Sequence, residues 1–275
     1  MGVFGDDFWD FNARLDSGAP HNQHVLYTVN GAGVSMWDGY QADIARALGN
    51  QYWAWQPIGY NANPFPMKPG LDSATKEFER QLIDVHPTGT FGVLAYSEGA
   101  IIAANVYDKL RNPTSSIAHR HQDFIGAATF GNPRRQKGHT FPGCPDPGGE
   151  GIVAPTQVGV EDSWWDFANH GDLYTTMDGA TGAEAADMRA IWNFVYNIWN
   201  GVGSLALQIF KLIGNPLLSI AAIEAMIAAM GFFGGGLRQH VDYHLTTPLP
   251  GNGLTCWQLA FNHLQDIGVT VPVRI

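Results

Sequence analysis

Residues 91–100 read FGVLAYSEGA, an apolar run that stops at one serine, Ser97, with Gly99 and Ala100 just beyond it. Two readings compete. Ser97 is either a turn or helix-cap serine, or a nucleophile held on a sharp strand-to-helix bend. The second reading needs small residues two before and two after the serine, because strand and helix backbones approach closely around a strained turn. Ala95 and Gly99 stand at those positions. The pattern alone is generic, but its surroundings favour the bend. An apolar strand precedes it, and EGAIIAANVYDKLR, closed by Asn112-Pro113, follows with helical character.

Working outward, strands alternate with helices. HVLYTVN (24–30) reads as a buried strand running into the turn NGAGVS, and GYQADIARALGN as a helix ending at Gly49. YWAWQPIGY is a strand, NANPFPMKPG a loop, and Leu71, Ala74, Phe78, Leu82 and Val85 recur at helical spacing. FIGAATF is a further strand, ending at GNPRRQKG. Such alternation predicts an α/β fold whose central parallel sheet is covered on both faces. Residues 140–168, rich in Gly, Pro and Trp, read as a long irregular loop. Residues 183–233 turn helical and very apolar, but Lys211, Asn215-Pro216 and Glu224 interrupt any run of about 18 apolar residues that could span a bilayer. They are expected to form a helical insertion in a catalytic domain made of 1–182 and 234–275. LTCWQLAFNHLQDIG is an amphipathic helix that closes the domain.

Composition narrows the function. The chain has 275 residues, long enough for a substantial core, and 25 acidic against 15 basic residues give a net charge of -10. That balance argues against nucleic acid as a partner. Cys144 and Cys256 lie outside metal-ligand spacing and read as free thiols, a disulfide being the lesser alternative; no metal or cofactor is expected. NGAG never completes G-x-G-x-x-G, so nucleotide binding is not indicated. Arg134, Arg135 and Lys137 read as a solvated basic loop. The acidic start MGVFGDDFWDFNARLD does not resemble an export signal.

If Ser97 is a nucleophile, an acid and then a histidine should follow it along the chain. Asp162, Asp166, Asp172, Asp178 and Asp187 are candidates, Asp172 standing out in NHGDLYTT as a strand-end loop aspartate. His240 and His244 share the loop RQHVDYHL and are close to tied, while His263 reads as a packing residue of the last helix. Oxyanion donors would be the backbone N–H of Glu98 and that of Ala32 or Gly33 in the first turn.

Taken together, TVNGAG, WQPIGY followed by FPM, AYSEGA, GNPRRQKG and HGDLY resemble, in the same order, the lysin B enzymes of mycobacteriophages. The resemblance runs from about residue 24 onward. It implies a cutinase-like α/β-hydrolase fold with a helical linker subdomain. It also implies a serine esterase that cleaves mycolic acids from arabinogalactan in the host envelope at lysis, with Ser97 as nucleophile, Asp172 as orienting acid and His240 as base. The protein is then expected to be a monomer, made without a signal peptide and acting at the envelope after lysis. A general lipase or cutinase-like esterase, and a non-catalytic envelope-binding protein on a decayed hydrolase fold, are the alternatives. Asn30 and Glu98 depart from the histidine and glutamine usual in the family. A carboxylate at Glu98 would oppose charge developing in an oxyanion hole unless it points away or is paired. The insertion, lying between Asp172 and His240, is expected to wall or lid the acyl site.

Overall fold

The computed structural model describes residues 22–62, 67–177 and 237–274. Its centre is a sheet of five parallel strands: β1 (His24–Val29), β2 (Trp53–Pro57), β3 (Phe91–Tyr96), β4 (Phe124–Phe130) and β5 (Trp164–Phe167). They lie in the order β2-β1-β3-β4-β5. Both faces are buried, and the period-two geometry of a strand divides the apolar residues between two cores. Val25, Tyr27 and Val29 of β1 and Phe91, Val93 and Ala95 of β3 pack toward α2 (Met67–Arg80) and α3 (Glu98–Arg111). Leu26 and Leu94 point the other way, into a core with Ile44 of α1 (Gly39–Leu48) and Leu259 and Leu264 of α5 (Cys256–Thr270).

Helix α5 starts with a capping box: Thr255 Oγ1 accepts from Gln258 N (3.3 Å) while Gln258 Oε1 accepts from Thr255 N (2.9 Å). Trp53 Nε1 donates to the Leu264 carbonyl (3.0 Å), tying this helix to β2. A short helix, α4 (Leu237–Val241), precedes it where the sequence suggested only a loop. Cys144 and Cys256 are both free thiols.

Three expectations need correction. The helix expected over 71–85 starts earlier, at Met67, and widens to a π-type turn over Gln81–Val85, beside which the buried Arg120 donates to the Leu82 carbonyl (2.6 Å). The irregular loop expected over 140–168 contains β5; its WWDF is short, and the buried Asp166 masks its apolar character. The basic loop is not solvated at its two arginines. Arg135 is fully buried and donates to the carbonyls of Thr175, His139, Gly148 and Gly149, while Arg134 binds Asn105 and Asp108 of α3. Both guanidiniums staple loops at the C-terminal edge of the sheet; Lys137 is exposed. The insertion expected over 183–233 lies outside the described residues.

In this strand order the chain reverses direction across the sheet between β1 and β3, and the crevice beyond their C-terminal ends is where such sheets place ligands. Asn30–Gly33 and Ser97 both lie there.

Candidate active site

Ser97 sits between β3 and α3 with φ 54° and ψ -119°, and among the described residues it alone, apart from glycines, has positive φ. Such a backbone costs about 1–3 kcal/mol and persists only where its surroundings enforce it. The enforcement is visible. Ser97 N donates to the Phe130 carbonyl (3.0 Å), and α3 comes so close to β1 that a Cβ on Gly99 would collide with the Val29 and Asn30 carbonyls. On Gly31 it would lie 3.2 Å from the Ser97 Cβ. Ser97 does hold the N-cap position of α3, yet its hydroxyl makes no cap hydrogen bond. Its Oγ instead lies 2.8 Å from His240 Nε2.

His240, on α4, is 4% exposed, and its Nδ1 lies 2.9 Å from Asp172 Oδ2. An ionised carboxylate only accepts, so Nδ1 carries the proton and Nε2 faces the serine as an acceptor. The ring is held closely. Gly131, at φ 61°, passes it so tightly that a Cβ there would be 2.7 Å from His240 Cε1. The Tyr174 ring centroid is 4.4 Å from that of His240, and Tyr96 Oη donates to the His240 carbonyl (3.0 Å).

Asp172 is fully buried and opens a turn after β5, its backbone carbonyl accepting from Thr175 N (3.0 Å) and Thr176 N (2.9 Å). Oδ1 accepts from Tyr174 N (3.0 Å). Oδ2 accepts from His240 Nδ1 and also from Tyr243 Oη (2.6 Å). The described aspartates that compete with it do not reach the serine's histidine: Asp162 is exposed, and Asp166 pairs with His139 (3.0 Å). Asp178 and Asp187 lie outside the described residues. His244 is exposed and stacks on Tyr40 (5.4 Å between centroids), while His263 packs edge-on against Trp165 (3.7 Å).

Of the backbone donors expected at an oxyanion hole, Gly33 is a correction: its N–H is committed to the Ala62 carbonyl (2.6 Å). Ala32 N–H has no acceptor among the described residues, and Glu98, as first residue of α3, has no intrahelical acceptor for its own.

The Glu98 side chain turns inward and is 2% exposed. Tyr60 lies beside it but gives its single proton to the Asn30 carbonyl (2.6 Å), so neither Glu98 oxygen has a hydrogen-bond partner among the described residues. Burial therefore pushes the carboxyl up to about 8, only partly opposed by the neighbouring Tyr60. At neutral pH it is mostly an uncharged acid, and the repulsion feared for a carboxylate at this position is avoided by neutralisation.

Reading residues one at a time missed Tyr243 and Gly131. Tyr243 follows His240 at the i+3 spacing that puts two side chains on one face of a helical turn, a signal present in RQHVDYHL. Gly131 stands in a motif that looked merely basic.

No protein-family model matches the chain. It is 31% identical over 229 residues to Endolysin B of Mycobacterium phage D29, covering 76% of this chain and 88% of that one. To Endolysin B of Mycobacterium phage L5 it is 31% identical over 244 residues, covering 82% and 95%. Its fold matches the crystal structure of lysin B from Mycobacteriophage D29 with a TM-score of 0.63 at 23% identity, over 89% of this chain and 99% of that one. The expected α/β-hydrolase fold is thus the observed one.

Proposed function

This chain belongs to the endolysin B family, and from that premise we propose that it is a serine esterase which hydrolyses the ester joining mycolic acids to arabinogalactan in the mycobacterial envelope. The observation that carries the reading is the hydrogen-bonded series Ser97–His240–Asp172, anchored on a strained serine at the C-terminal end of β3. In this reading His240 Nε2 takes the Ser97 proton as Oγ attacks the ester carbonyl. The N–H groups of Glu98 and Ala32 receive the oxyanion. His240 then returns the proton to the departing sugar hydroxyl, leaving an acyl-serine. Water, deprotonated by the same imidazole, attacks that acyl group; the mycolic acid leaves and Ser97 regains its proton. Asp172 stays ionised throughout and stabilises the imidazolium.

The proposed site of action is the host envelope after lysis, with the enzyme working as a monomer. Among the described residues no helix is long and apolar enough to cross a membrane.

The test is a fluorophosphonate probe together with two substrates. Wild type should be labelled at Ser97 and should release mycolic acids from isolated mycobacterial envelope. Ser97→Ala should do neither. Release of fatty acid from triglyceride with none from envelope would replace this reading by a general lipase. A wild-type chain inert to the probe under conditions that label a control esterase would reduce it to a binding protein.

A further inference from the structure

The carboxylate that holds His240 has a second side-chain donor. Tyr243 Oη lies 2.6 Å from Asp172 Oδ2, the same oxygen that takes the His240 Nδ1 proton at 2.9 Å. Tyr243 is fully buried, and its hydroxyl in turn accepts from the Asn169 backbone N–H (3.3 Å). Asn169 Nδ2 also reaches back to the carbonyl of Gln239 (2.6 Å), next to the base. Burial first, and then the Asp172 charge, push the phenol well above its ordinary range, so it is a proton donor at every working pH.

We infer that Tyr243 is a positioning residue for the proposed reaction: by sharing Asp172 Oδ2 with His240 it fixes the base-bearing segment on the acid and sets how strongly the acid holds the imidazole. The geometry gives it two effects. His240 near the end of α4 and Tyr243 in the turn that follows it close on a single oxygen, so the segment cannot swing without breaking both bonds. The aim of Nε2 at Ser97, 2.8 Å away, depends on that seat, because the imidazole that reaches the serine is the one held on Asp172. The second effect is electronic. Each donor withdraws charge from the shared oxygen, so a strong phenol bond weakens the His240–Asp172 bond, and its loss strengthens that bond. Without the phenol the imidazole would be gripped harder but aimed less well.

This inference rests on the esterase reading, and the experiment separates the two. In the resting enzyme the His240 Nδ1 proton should give a downfield proton NMR signal, assigned by its loss in Asp172→Asn. Tyr243→Phe should move that signal further downfield. 3,5-Difluorotyrosine at position 243, similar in shape but more acidic and a stronger donor, should move it upfield. Neither shift requires turnover. With p-nitrophenyl butyrate, Tyr243→Phe should lower kcat by about tenfold to a hundredfold, as small misplacements of reacting groups do, with KM within about twofold. A signal that ignores both substitutions, or shifts in the same direction in both, overturns the inference. So does an unchanged kcat in a folded Tyr243→Phe protein. If Tyr243→Phe does not fold, the difluorotyrosine enzyme decides alone. Should wild type itself hydrolyse no ester, the esterase reading fails while the NMR result still reports the shared oxygen.

Discussion

Among the described residues, two buried aspartates beside the same sheet each hold a histidine, and only one of those histidines reaches a serine hydroxyl. Asp172 and His240 are 2.9 Å apart, as Asp166 and His139 are 3.0 Å apart. Asp166 is surrounded by further donors: Thr129 Oγ1 (2.5 Å), Asn132 Nδ2 (2.8 Å) and Trp164 Nε1 (3.2 Å). Burial pushes this carboxyl up, but the hydrogen bond and charge of His139, with Thr129 and Asn132, outweigh it and hold it below its ordinary range. It works as a knot that fixes the loop after β4 to β5. Asp172 has the same appetite for donors, met by Tyr174 N, Tyr243 and His240, yet its histidine stands over the crevice with Nε2 turned to Ser97. The chemistry of the pair is common; its place at the β1/β3 switch point is what distinguishes it.

Substituting each histidine breaks the comparison most strongly. His240→Ala should reduce kcat/KM by about 10⁴-fold or more, the scale seen when one member of such a series is removed. Stability should change little, because Tyr243 and Tyr174 still donate to Asp172. His139→Ala should do the reverse. It leaves the buried Asp166 Oδ2 without its hydrogen-bond donor, at a cost of about 1–3 kcal/mol, whereas Asp172 Oδ2 keeps Tyr243 when His240 is removed. Its kcat/KM on folded protein should stay within about threefold. Urea melts and p-nitrophenyl butyrate kinetics on both variants check this, and comparable activity losses would mean the two pairs are not functionally distinct.

Gly131 offers a smaller, geometric test. It belongs to β4's terminal turn, from which Asn132 reaches the Asp166 knot, but its own missing side chain makes room for His240. Gly131→Ala would place a methyl 2.9 Å from His240 Nδ1 on a backbone at φ 61° that alanine resists. The imidazole must shift, so kcat should fall by about a hundredfold with KM little changed. Stability should drop by about 1–2 kcal/mol from backbone strain. An alanine variant with full kcat would show that the ring tolerates another position.

The comparison also explains what the sequence could and could not disclose. The strands and helices around FGVLAYSEGA were legible because each is a local run: an apolar strand, a bend with small flanking residues, a helix ended by Asn112-Pro113. Ser97 could be singled out for the same reason. The strand Trp164–Phe167 was not legible, because its Asp166 is polar in sequence and satisfied mostly by donors far away along the chain, from Thr129, Asn132 and His139. The residues themselves made Asp172 stand out only as a loop aspartate and left His240 and His244 close to tied; the resemblance to lysin B chose among them. Asp172 and Asp166 are identical in chemistry, as are His240 and His244, and the choice lies in which partner each meets: Asp166 holds His139 and Asp172 holds His240, while His244 stacks on Tyr40. Arg134 and Arg135 were misread on similar grounds, since a charge reads as solvated until its carbonyl partners are known.

Glu98 is the carboxyl that lacks what both aspartates have, and it gives the smallest and most specific prediction. Its neighbours among the described residues are the Tyr60 hydroxyl, which is given to Asn30, and Gly70 of α2, where an added Cβ would lie 3.7 Å from Oε1. Among the described residues no cation pairs with it. Its folded value, pushed up to about 8 from an ordinary 4.5, fixes the sign of the effect. Below pH 4.5 the acid is protonated in folded and unfolded chains alike and contributes nothing to the pH dependence. As pH rises from there to 8, only the unfolded chain ionises, so stability is lost progressively across that window and the loss is complete above it. Glu98→Gln, which keeps shape and removes the proton, should therefore be indistinguishable in urea midpoint at pH 4 and more stable than wild type at pH 9. Activity should follow the same proton. Above pH 8 the new carboxylate lies one residue from Ser97, where the proposed reaction would form its oxyanion, and wild-type kcat should decline severalfold by pH 9.5 while Glu98→Gln stays level. Parallel alkaline limbs in the two proteins would show that Glu98 holds no proton that matters, and that a partner for its charge exists after all.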